Sequence, residues 1–375
     1  MTPGRSAKKG AAQSQETMNN KGVSIACDLC GGTHHELLFT GRDRLFGIEG
    51  GFPLVRCQDC GLIFVSPRPS YEEMARFYPQ EDYDLYNKAA GLKDRSMDEL
   101  GRLQGPRKGR IDKFQKQGRL LDIGFGDGSF LYFMKECGWD VAGVDFNEKM
   151  VELVRDELGI DAVAGQLEDA GYPEGAFDVV TLWGVLEHVQ SPRRTLEEIN
   201  RVTGEGALLA VYTQNAASPE ARWLGEDWFI YEVPRHLYSF TPDSLAKLLS
   251  AAGFCVAETV YETPLYYCQM NWQYFKERRL GRKNDVIHNP TLVDRLVTKL
   301  LSIYRRAVNG RSLSSAMTVY AVKRESCRPA SAEKPESGEA ASVEQSEPEQ
   351  AASAAKTETG QPAEKQGNKE QDAEE

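Results

Sequence analysis

The chain has 375 residues, 41% of them hydrophobic, which suffices to bury a sizeable core and excludes a collagen-like or wholly disordered protein. Its net charge is −11, but residues 326–375 hold twelve acidic against five basic residues, so the body is nearly balanced and lacks the basic footprint of nucleic-acid binders. No run approaches the roughly 18 apolar residues of a membrane-spanning helix.

Residues 1–22 carry Arg5, Lys8 and Lys9 with no apolar run behind them. They read as a disordered polar extension and not as a secretory signal, and the chain is expected in the cytoplasm. Residues 23–70 hold two knuckles, Cys27-Asp28-Leu29-Cys30-Gly31 and Cys57-Gln58-Asp59-Cys60-Gly61. In a reducing compartment such pairs favour metal over disulfides. Four thiolates close a tetrahedral site, so Cys27, Cys30, Cys57 and Cys60 are expected to hold a structural zinc in a small zinc-ribbon-like domain. Strand-like stretches at 35–39 and 52–56 fill the gap between the knuckles, and His34 and His35 are superfluous as ligands and expected to be solvated. A Tyr-rich, then charged and helical connector spans 71–117, in which Tyr83 and Tyr86 either cover a substrate mouth or pack.

From 118 to 325 strand-like and helix-like stretches alternate. A strand at 119–123 ends in a glycine-rich turn, followed by a helix at 129–137, a strand at 140–144, a helix near 148–157 and a short strand at 162–164. Further strands fall at 177–182, 207–213, 254–259 and 316–322, with helices at 193–201 and 242–252, the latter opened by Thr241 and closed by Gly253. This order predicts an α/β, Rossmann-like, mostly parallel sheet with helices on both faces and ligands at the carboxyl ends of its strands. Residues 326–375, rich in Ala, Glu, Ser, Gln and Pro, read as a disordered acidic tail.

The turn Asp122-Ile123-Gly124-Phe125-Gly126-Asp127-Gly128 lets backbone approach a ligand that side chains would exclude. Its third glycine comes one residue too early for a dinucleotide fingerprint, and the Asp122 carboxylate suits an ammonium group better than a pyrophosphate. Asp145 ends the next strand, where a carboxylate accepts hydrogen bonds from ribose hydroxyls. With Val-Ala-Gly-Val-Asp-Phe, Gly165-Gln166-Leu167-Glu168 and Leu186-Glu187-His188-Val189, the region resembles the class I S-adenosylmethionine-dependent methyltransferases. The resemblance implies that Asp122, Gly124, Gly126 and Gly128 hold the methionine end, Asp145 the ribose, Gln166 and Leu167 the adenine edge, and that Trp183 walls the sulfonium pocket. His188, and His236 in Pro234-Arg235-His236-Leu237-Tyr238, are both expected at the carboxyl edge as candidate general bases or as loop-shaping side chains. Trp223, Trp228 and Phe229 are expected as lid or core contacts.

The knuckles and the Gly61-Leu62-Ile63-Phe64-Val65-Ser66-Pro67-Arg68-Pro69 run resemble the zinc-binding front piece of bacterial methyltransferases, including sugar-modifying ones. The expected function is therefore methyl transfer from S-adenosylmethionine to a small-molecule acceptor, a sugar or glycan-linked metabolite on the strength of that resemblance. RNA methylation with the zinc module docking the nucleic acid, and a non-catalytic S-adenosylmethionine-binding scaffold, are the alternatives. Residues 268–313 form a basic insertion with ten Lys or Arg against three acids. Its stripe of Leu292, Val293, Leu296, Val297, Leu300, Leu301, Tyr304 and Val308 predicts an amphipathic helix over 290–309. That helix is read as a lid packed over the active-site mouth, as a peripheral contact with the inner face of an anionic membrane, or as a partner-docking surface.

Overall fold

The computed structural model describes residues 25–78, 92–281 and 286–324. The expectations for residues 1–22 and 326–375, and for Tyr83 and Tyr86, lie outside these residues.

Two sheets organise the described chain. The cysteine-bearing segment supplies β1 (His35–Gly41), β2 (Phe52–Cys57) and β3 (Ile63–Val65), each antiparallel to the next. The fourth strand comes from far along the chain: β9 (Tyr238–Ser239) pairs antiparallel with β3 through Ile63 and Phe64. The sheet therefore does not end at the expected boundary of residue 70. A capping box at Ser70 opens the short helix α1 (Tyr71–Met74), and Ser96 caps α2 (Met97–Ile111).

The second sheet holds β4 (Arg119–Ile123), β5 (Asp140–Asp145), β6 (Asp161–Ala164), β7 (Phe177–Trp183), β8 (Thr203–Gln214), β10 (Phe254–Glu262) and β11 (Ala316–Lys323). Its order is β10-β11-β8-β7-β4-β5-β6, with the five strands from β8 to β6 parallel and β11 antiparallel to both its neighbours. Between the parallel strands run α3 (Ser129–Glu136), α4 (Glu148–Leu158) and α5 (Pro192–Val202), each with its apolar stripe buried. Period-two alternation places Leu121, Val180 and Leu209 in one core cluster and Leu120, Val179 and Leu208 in another, so both faces are covered as expected. The first cluster runs on without a break into Phe52 and Phe64 of the cysteine-bearing segment and Phe77 just past it.

The remaining helices are α6 (Pro219–Leu224), α7 (Pro242–Ala251), α8 (Leu265–Leu280) and α9 (Leu292–Val308). Two helices, then, fill the basic insertion, and α9 packs on α8. The predicted stripe does not bury as one face: Val297, Leu301 and Tyr304 are half-buried and Val308 is buried, but Leu292, Val293, Leu296 and Leu300 are exposed. The cause is Asp294, which is buried against α8, where it accepts from Trp272 Nε1 at 2.8 Å and from Lys276 Nζ at 3.0 Å. Anchoring this one carboxylate rolls the helix so that three of its four leucines face outward. Cys255, at the start of β10, is disulfide-bonded, a pairing no spacing in the sequence suggests.

Candidate active site and cysteine cluster

The two knuckles meet as the spacing predicts. Cys27 Sγ lies 3.4 Å from Cys60 Sγ and Cys30 Sγ 3.5 Å from Cys57 Sγ, and the four sulfurs all lie within 4.8 Å of one another. Gly31 and Gly61 adopt φ of +74° and +81°, and their N–H groups donate to the carbonyls of Cys27 and Cys57 at 2.7 and 2.9 Å. A side chain there would strain the turn that points both thiols of each pair inward. His35 departs from the expected solvated state: its Nε2 lies 3.1 Å from the Gly32 carbonyl and its ring packs edge-on against Phe64.

At the carboxyl end of β4 the glycine turn leads into α3. Gly124 has φ +66°, and a Cβ there would meet Val185 Cγ2 at 2.5 Å, whereas a Cβ on Gly126 would meet nothing within 4 Å. Gly128 caps α3 in the left-handed region. The turn thus lies tight against the protein on one side and faces open space on the other. Asp145, buried at the end of β5, ties down the turn from beside it. Its carboxylate accepts from Gly126 N at 3.0 Å and from Asn147 N at 2.9 Å, and burial raises its pKa. Two oxygens with about four lone-pair sites leave it capacity for further donors. Asp122 is 1% exposed and accepts the Thr181 hydroxyl at 2.6 Å; burial pushes it up to about 7 against the pull of Thr181 and Arg107.

Beyond β6, Gln166 is exposed while Leu167 is buried in the core. Trp183, ending β7, packs edge-on against Phe130, and its indole Nε1 is buried without a hydrogen-bond partner. An orphaned donor beside an open glycine turn is what a polar ligand would satisfy. The residues present thus fit a ligand seated between the turn, Asp145 and Trp183.

Both histidines reach the same edge. His188 follows β7, and its Nδ1 lies 3.1 Å from the Arg235 carbonyl and 3.0 Å from the Tyr78 hydroxyl. His236 is buried with Nδ1 donating to the Ile230 carbonyl at 2.6 Å, and the two rings stand edge-to-face with centroids 4.6 Å apart. A carbonyl only accepts, so each Nδ1 carrying the proton leaves Nε2 with its lone pair. Burial lowers His188 to about 3 and His236 to about 4, each helped by a neighbouring imidazole or guanidinium, so both rings are neutral at pH 7. Glu187 completes the cluster, pushed up to about 7 by burial while it accepts the Thr213 hydroxyl at 3.0 Å.

A family model described as a methyltransferase domain matches residues 95–259. The chain carries a methyltransferase domain. Curated proteins similar to the chain bear methyltransferase names. The chain is 28% identical over 181 residues to a ubiquinone biosynthesis O-methyltransferase of Aeromonas salmonicida, spanning 45% of this chain and 73% of that protein. A Maricaulis maris protein of the same name is 33% identical over 156 residues, 38% of this chain and 61% of its own length. Among solved structures, a SAM-dependent methyltransferase from Archaeoglobus fulgidus is similar at 21% identity and a TM-score of 0.39, covering 59% of this chain and 94% of that one.

The methyltransferase domain has further residues at its mouth that no motif marks. Phe146, just past Asp145, is 51% exposed and lies 5.5 Å from the Tyr78 ring. On α2, Arg107 places its guanidinium 4.4 Å from the centre of the Trp183 ring. Arg235, beside His236, is buried and paired with Asp43 of the cysteine-bearing segment at 2.7 Å, and it also donates to Glu232 at 2.9 Å. Asp43 is held below the usual carboxylate range by Arg235 and by backbone N–H groups despite its burial. Of the aromatic trio, Trp228 is core, Phe229 packs against that core, and Trp223 is 77% exposed.

Proposed function

We propose that the protein transfers the methyl group of S-adenosylmethionine to a hydroxyl of a small molecule, with the His188–His236 pair accepting the proton. The observation that carries this reading is the pair of adjacent imidazoles at the carboxyl edge, each with Nδ1 against a backbone carbonyl so that Nε2 keeps its lone pair. Bound at the glycine turn, S-adenosylmethionine supplies a methyl group on a sulfonium whose leaving thioether is neutral. Asp122, Gly124, Gly126 and Gly128 support the methionine end, Asp145 the ribose, Gln166 and Leu167 the adenine edge through side chain and backbone, and Trp183 the sulfonium side. What is left to the protein is to align the hydroxyl, exclude water and take its proton. Tyr78 and Phe146 give the mouth an aromatic wall suited to either a sugar face or a phenolic ring. Relatives named as O-methyltransferases support oxygen as the acceptor.

The four cysteines hold a structural zinc ion in this reading. Bonds of about 2.3 Å to a tetrahedral ion put sulfurs about 3.8 Å apart, which the cluster accommodates, and four thiolates leave no open position for catalysis.

Incubation with labelled S-adenosylmethionine and separated small-molecule and RNA fractions tests the function. Label in sugars or phenols supports it and label in RNA replaces it. Calorimetric binding of S-adenosylmethionine without label transfer to either fraction would leave a non-catalytic scaffold.

A further inference from the structure

We propose that the outer face of α9 is a docking surface for an anionic lipid membrane. The proposal is independent of the acceptor and of the proton-transfer reading. Leu292, Leu296, Leu300 and Ile303 recur at four- and three-residue steps and are 82%, 60%, 59% and 65% exposed, so they form one continuous ridge along the helix. Val293 beside it is exposed as well. Scattered exposed leucines are ordinary on a protein surface, but a contiguous ridge several turns long marks an interaction site.

Charge names the occupant. Arg295, Lys299 and Arg306 are exposed on the same helix. The one acid within α9, Asp294, is buried and occupied by Trp272 and Lys276, so the exposed surface of this helix presents apolar and cationic groups without a carboxylate. This occurs in a chain of net charge −11. An apolar ridge flanked by cations is the pattern of a helix lying in the headgroup plane of an anionic bilayer. Trp223, 77% exposed, stacks on Phe275, which stacks on Trp272, the donor to Asp294. An exposed indole is thereby set near the start of the ridge, and indoles favour the membrane–water interface. A second copy is the poorer occupant, because a two-fold contact would set the same cations against one another.

Full-length protein is sedimented with vesicles of equal parts phosphatidylcholine and phosphatidylglycerol, and with vesicles of phosphatidylcholine alone, at about 0.1 M salt. Binding is expected to the anionic vesicles and not to the neutral ones. The double variant Leu296→Ser, Leu300→Ser should reduce the bound fraction roughly tenfold, and Arg295→Glu with Lys299→Glu by a similar factor, with melting temperature unchanged because these side chains are exposed. The proposal is overturned if the protein stays in solution with both vesicles, or if either double variant binds as the parent does. It is equally overturned if the parent is a dimer without lipid and the leucine variant a monomer, since the ridge would then be a self-interface.

Discussion

The Tyr78 hydroxyl stands 3.0 Å from Nδ1 of His188, so a residue just past the cysteine-bearing segment touches the imidazole at the end of β7. The same Nδ1 faces the carbonyl of Arg235, whose guanidinium is paired with Asp43 of that segment. Two long-range contacts therefore fix the orientation of one imidazole. An orienting partner of this kind sets the tautomer and direction of a base without itself reacting.

Tyr78→Phe should lower turnover about tenfold while leaving S-adenosylmethionine affinity unchanged, because it removes an orienting hydrogen bond and keeps the ring. Parallel measurements of turnover and calorimetric affinity check this. Unaltered turnover would reduce Tyr78 to packing.

Replacing the acting base, His188→Ala or His236→Ala, should cost roughly 10²-fold in turnover with cofactor affinity retained. Near-full rates in both variants at neutral pH would move a carbon or nitrogen acceptor ahead of oxygen.

Asp145→Ala should weaken S-adenosylmethionine binding by roughly 2 kcal/mol, since hydrogen bonds to a charged acceptor disappear and the Gly126 N–H loses its partner. An equal dissociation constant in a folded variant would remove Asp145 from the cofactor site.

Purified protein should contain one zinc per chain, and Cys57→Ser should lose it and melt at lower temperature, because metal binding is coupled to folding of the segment. Elemental analysis and a melting curve decide. A metal-free parent with normal melting refutes the assignment.

Glu187 is raised from an ordinary 4.5 to about 7. Below 4.5 it is protonated in both folded and unfolded states; between 4.5 and 7 only the unfolded chain ionises, so stability falls as pH rises and the penalty persists above 7. Glu187→Gln should therefore gain stability over the parent at pH 8 relative to pH 5, on the order of 2 kcal/mol. Denaturant titrations at both pH values test the sign, and a pH-independent difference would show that Glu187 titrates normally.

The parts of the molecule legible in the sequence are those whose signal is local. The glycine turn, the Thr241 cap, the knuckles and the alternation of strands with helices each lie within a few residues of their cause. The pairing of Tyr238–Ser239 with β3, the Asp43–Arg235 pair and the approach of Tyr78 to His188 join distant segments and leave no periodicity to read. In α9 apolar residues occur on two sides of the helix, so periodicity alone could not say which side faces in. The buried Asp294 decides it, and a lone acid in a basic helix reads at first as solvated.

The cross-pairing of β9 with β3 also limits how this protein can be taken apart or recombined. A gene shortened to begin at Leu92 would strip β9 of its ladder partner and Arg235 of its buried counter-charge, immediately on either side of His236. The exposed strand groups and an interior cation that has lost its buried carboxylate would favour aggregation over a working fragment. Chimeras that exchange the cysteine-bearing segment between related enzymes should therefore carry residues 232–241 with it as one inherited unit.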